Sequence, residues 1–115
     1  MANIGGNITA IVQKKTESGE NAIGEAVLQW VDAFSQIGWL GMQSGGFERR
    51  NYNAKIEETT HVFLCDFHKG IYDLADQDTR LIIKGNMYDV LLIDNPDEMD
   101  EQLEIYLKKV GVAIG

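Results

Sequence analysis

Cysteine occurs once in the 115 residues, at Cys65, which excludes an intramolecular disulfide. No apolar run approaches the ~20 residues that a membrane-spanning helix needs, so no membrane is expected as a partner. No positively charged start leads into an apolar stretch of secretory length, so the sequence points to a cytosolic origin. The sequon Asn7-Ile8-Thr9 is then a chance match, because glycosylation requires a secretory route. Cations are scarce: 10 Lys and Arg stand against 18 Asp and Glu, for a formal net charge of -8. A surface of that sign repels phosphate, which argues against direct or sequence-specific gripping of nucleic acid.

The motifs of catalysis and cofactor binding are missing as well. Ser18, Ser35 and Ser44 stand outside any Gly-x-Ser-x-Gly elbow. Gly45-Gly46 lacks both the Lys-Ser/Thr of a phosphate loop and the dinucleotide spacing. On a strand rising ~3.3 Å per residue, His61 and Cys65 share a face but lie ~13 Å apart, and Cys65 and His68 point to opposite faces. Neither pair can hold one metal ion. Asp73, Asp76 and Asp78, and the run Asp94, Asp97, Glu98, Asp100 and Glu101, lack the alternating ligands, the glycine and the terminal glutamate of an EF-hand loop. The expectation is a protein that is not an enzyme, with no catalytic residue, metal or cofactor.

What is present reads as strand. Residues 1–115 are expected to form one domain, which at this length buries about two-thirds of the surface of its unfolded chain. Arg80-Leu81-Ile82-Ile83-Lys84 and Met87 to Asp94 are rich in branched and aromatic residues, and Gly85-Asn86 between them suits a two-residue hairpin turn. Thr60 to Phe67 suits another strand. Ile8 to Lys15 suits a first strand, with a loose lead-in from Met1 to Asn7 and turn chemistry from Glu17 to Asn21.

Two segments admit both periods. Val27, Trp30, Val31, Phe34 and Ile37 also sit at helical spacing. Their aromatic and branched character favours strands, as do Gly38 and Gly41, each of which weakens a helix by ~1 kcal/mol. After Asn95-Pro96, a helical stripe of Met99, Leu103, Tyr106 or Leu107, and Val110 competes with the alternation Leu103, Ile105, Leu107, which supports a closing strand from about 102 to 110. Trp30 and Trp39 are read as core residues. The expected fold is all-β and mainly antiparallel, curled into a small barrel or sandwich so that its edges are protected.

Residues 43–58 show no sustained apolar period, and a connection of this length inside a small domain is usually functional or disordered. Phe47, Arg49, Arg50 and Tyr52 form the one basic and aromatic cluster of an acidic chain, and residues of these types dominate interface cores. Asp97, Glu98, Asp100 and Glu101 offer an acidic surface that the arginines of another copy could meet. These eight residues are the candidate interface.

Several features together resemble the head-tail adaptor family of tailed phages, also called head closure or head-completion proteins. They are Lys14-Lys15-Thr16 with Gly19, Trp30-Val31-Asp32, Trp39, Gly45-Gly46-Phe47-Glu48, the strand from Thr60 to Phe67, and the hairpin on Gly85 and Tyr88. Family members often end the strand that corresponds to Thr60–Phe67 with an arginine-aromatic pair, where this chain has Asp66-Phe67. The resemblance implies a virion protein of the neck or connector, assembled in the bacterial cytoplasm. It would join the portal or adaptor protein of the head after DNA packaging, self-associate into a ring, and provide the docking surface for the tail or tail-terminator protein. A tail-terminator or other neck protein, or a soluble acidic regulatory protein, are the alternative readings.

Overall fold

The computed structural model describes residues 4–20, 22–42 and 59–112. The expected loop at 43–58, with Phe47, Arg49, Arg50 and Tyr52, lies outside the described residues. Six strands account for most of the rest: β1 (Ile8–Glu20), β2 (Ala26–Met42), β3 (His61–Asp66), β4 (Thr79–Ile83), β5 (Asn86–Asp94) and β6 (Gln102–Val112). One short helix, α1 (Lys69–Tyr72), follows β3, with His68 as its N-cap accepting from the Ile71 amide. Every strand pairing is antiparallel, and the order β1-β2-β3-β6-β5-β4 closes into a barrel. The mainly antiparallel expectation holds, and closure is how this sheet removes its edges.

Local chemistry explains most boundaries. Ile83 pairs with Asn86, so the β4–β5 turn is centred on Lys84-Gly85, one residue before the Gly85-Asn86 expected from sequence. Both central residues have positive φ, 50° and 80°, as a type I′ turn requires. The ambiguous segment forms one continuous strand, Ala26–Met42, and β1 runs past Lys15 to Glu20, so the first described turn falls at 22–25, later than the turn chemistry read at 17–21. Pro96 to Glu98 is a short turn kinked at Asp97, after which the alternating reading of 102–110 prevails as β6.

The core lies inside the barrel and follows the period of two. β4 alternates without a break, with Thr79, Leu81 and Ile83 buried, and β6 contributes Leu103, Ile105 and Leu107. Ala10, Val12, Phe63, Cys65, Tyr88 and Val90 complete the filling, and Ile71 from α1 joins the same cluster. Each fully buried Leu, Ile or Phe contributes about 1.5–3 kcal/mol relative to exposure. The tryptophans are elsewhere. Trp39 is 44% exposed and Trp30 stands on the outer wall, so neither belongs to the core that the sequence reading gave them. The lead-in is not loose over its described part: the Ile4 amide donates to Asp66 Oδ1 (2.7 Å), the Asn7 amide to the Gly38 carbonyl (3.0 Å), and Trp39 Nε1 to the Ile4 carbonyl (2.7 Å).

Candidate assembly interface

The register sorts the molecule into two ends. β1 pairs with β4 from Ala10↔Ile83 to Lys14↔Thr79, and β2 pairs with β3 only from Gly38 to Met42. Beyond those limits, among the described residues, β1 and β2 pair only with each other, down to Glu20↔Ala26. They form a two-stranded arm that leaves the barrel and extends about 20 Å past Lys14 at ~3.3 Å per residue. The β5–β6 turn lies at the arm's end of the barrel, because β5 runs antiparallel to β4. The β4–β5 turn and the end of β6 lie at the opposite end, where Asn86 pairs with Val112.

The acidic candidates Asp97, Glu98, Asp100 and Glu101 meet on the β5–β6 turn, all exposed. The turn is tightly wound: Asp97, Glu98 and Asp100 take φ of 55°, 54° and 57°. Asn95, buried beneath it, holds the shape by donating from Nδ2 to Asp100 Oδ1 (2.8 Å) and accepting from the Asp100 amide (3.1 Å). Left-handed backbone in non-glycine residues costs energy, so the Asn95 clamp keeps four carboxylates presented outward together. The other half of the expected interface, Phe47, Arg49, Arg50 and Tyr52, lies outside the described residues.

A second constellation sits on the outer wall at the base of the arm. Gln13 faces both Asp32 on β2 and Arg80 on β4, and it bonds to both: Nε2 donates to Asp32 Oδ1 (2.8 Å), and Oε1 accepts from Arg80 Nε (2.7 Å). The Arg80 guanidinium lies 4.4 Å from the centre of the Trp30 ring and the Lys15 ammonium 5.3 Å from it. Lys15, Trp30, Asp76, Gln77, Thr79, Asp89, Val90 and Leu91 border a cleft of about 340 Å³ there. Sequence reasoning missed this group because its members come from three strands, and only the register brings Gln13 opposite both Asp32 and Arg80.

Two titratable groups of the barrel strands are shifted by their surroundings. Burial, and then the neighbouring Asp66, push the Cys65 thiol up to about 12, so it stays protonated and inert. Burial, then Lys109, lower the pKa of His61, whose ring stands edge-on to Tyr88 (5.1 Å) with Nδ1 2.9 Å from Thr60 Oγ1. Among the described residues, no three His, Cys, Asp or Glu side chains are grouped to hold a metal ion.

A family model described as phage head completion protein matches residues 7–110. The fold is similar to the solution structure of protein SF1141 from Shigella flexneri 2a, with TM-score 0.70 and 18% identity over 95% of this chain and 96% of that one. It is also similar to a chain in the virion of a native gene transfer agent particle, with TM-score 0.55 and 13% identity over 92% of this chain and 96% of that one. The sequence matches none of the curated proteins.

Proposed function

The chain belongs to the phage head completion protein family, and from that premise we propose that it joins the portal vertex after DNA packaging, helps to close the head, and supplies the surface on which the tail docks. Its copies associate into a ring, and its role is structural and not catalytic. One observation carries the reading: the family match spans residues 7–110, and so takes in the arm, the barrel and the acidic turn together. The physical properties suit the task. A closed barrel is a rigid spacer without exposed edges apart from the arm, and a net charge of -8 weakens adhesion to DNA that must later leave.

Within this reading the Asp97, Glu98, Asp100 and Glu101 turn receives Arg49 and Arg50 of an adjacent copy or of the portal. Exposed ion pairs contribute only about 0.2–1 kcal/mol each, so they set register while Phe47 and Tyr52 supply most of the affinity. Replacing both arginines by glutamate is expected to leave the subunit folded and to block its incorporation into heads.

Deletion of the gene tests the function. The expected product is heads that package DNA but leak it or fail to bind tails, with the chain found by mass spectrometry in wild-type particles. Complete, infectious particles formed without it would refute the proposal.

A further inference from the structure

The two ends of the molecule carry opposite charge and each exposes apolar side chains. No Lys or Arg occurs between Lys15 and Arg49, so the arm past Lys15 holds anions alone, with Glu17, Glu20 and Glu25 exposed towards its tip. Leu28, on the same arm, is 58% exposed. At the far end, Lys84 on the β4–β5 turn and Lys108 and Lys109 near the end of β6 are all exposed, with Asp89 across the ladder from Lys108, and Val110 (45% exposed) and Val112 (67% exposed) follow them on β6. The acidic β5–β6 turn lies at the arm's end, so it adds to this separation. In a chain of net charge -8, a cationic rim around exposed valines is a complement to the rest of the same molecule.

The arm cannot reach that rim in its own subunit. It continues β1 past Lys14↔Thr79, whereas the rim lies beyond Ala10↔Ile83, at the other end of the β1–β4 ladder. We propose that the arm of one copy docks on the rim of the next, Leu28 against Val110 and Val112, with Glu17 and Glu20 facing Lys84 and Lys109. The contact is heterologous, head to tail, and repeats into a ring where the rotation between copies closes. An apolar centre with a charged border is the usual anatomy of such an interface. This contact rests on the ring reading above and deepens it by naming surfaces built from residues other than those assigned there.

Charge exchange tests it. Sedimentation velocity on the concentrated protein at low salt is expected to show self-association, weakened about tenfold in E17K/E20K and likewise in K84E/K109E. Combining all four substitutions in one chain restores it, because the reversed arm again meets a reversed rim. The same exchange in particles uses L28C with V110C, since Cys65 is buried. Oxidised particles are expected to yield ladders of this chain on a non-reducing gel. Association unchanged by either double substitution, or particles that contain the chain but give no ladder, would overturn the docking mode and leave the head-completion role intact. Particles that lack the chain would overturn that role instead, and the solution exchange would then decide the contact by itself.

Discussion

Arg80 on β4 reaches across β1 to lie 4.4 Å from the ring of Trp30 on β2, joining two strands that are not neighbours in the sheet. The contact sits where the arm leaves the barrel, so it braces the arm against the wall. Gln13 fixes the guanidinium from the strand between. Arg80→Gln is expected to lower stability by about 0.5–1 kcal/mol, the range for an exposed cation–π pair. The larger effect should be local: amide hydrogen exchange of 15–20 and 26–32 rises while the barrel strands stay protected. Uniform protection in the variant would show that the arm needs no brace.

Gly38 is the tightest point of the barrel. A Cβ there would meet the Leu64 carbonyl oxygen and stand 2.6 Å from Phe63 Cζ, and Gly6 crosses directly over the same residue. Gly38→Ala is expected to cost about 2–3 kcal/mol by overpacking against backbone that cannot yield. Gly111, whose added Cβ would meet nothing within 4 Å, provides the control. Gly111→Ala should be neutral or stabilising by about 0.4–1 kcal/mol through the unfolded chain. Equal midpoints for the two variants in urea unfolding would contradict this account.

Lys84 occupies the first central position of the type I′ turn with φ 50°, where an L side chain other than Asn or Asp is strained. Lys84→Asn is expected to stabilise the fold by about 0.5–1 kcal/mol. It also removes a cation from the rim. Thermal unfolding should therefore improve while head-to-tail association weakens, and a variant that gained or lost both together would separate neither effect as described.

His61 carries a lowered pKa, from burial first and then from Lys109. The unfolded chain therefore binds a proton at higher pH than the folded protein does. Stability from this site falls as pH drops through the ordinary histidine value near 6.5 and levels off below the folded value. His61→Gln should remove that part of the slope, so the difference in unfolding free energy between wild type and variant shrinks or reverses between pH 7.5 and about 5.5. A difference independent of pH would mean that the ring titrates as it does in water.

Much of the fold follows from local chemistry. Gly85 permits the hairpin turn, and the alternation Thr79, Leu81, Ile83 and Leu103, Ile105, Leu107 assigns an inner face whatever the neighbours are. The family resemblance rested on such features, and the family match over 7–110 agrees with it. The acidic turn was legible because its residues are contiguous; Asn95, which shapes it, acts within five positions.

What only the tertiary structure decided is where each strand finds a partner and where it runs out of one. Helical and strand spacing coincided over 25–37, and closure of the barrel through Gly38↔Cys65 and Ile8↔Gly38 settled the segment as strand. The arm is invisible in sequence, because its 13- and 17-residue strands look like any others until β4 stops pairing at Thr79 and β3 at Cys65, opposite Gly38. Trp30 read as core because tryptophan usually is. It stands outside because Arg80, fifty positions away, covers its ring, and a cover supplied by a distant strand leaves no mark in the local pattern.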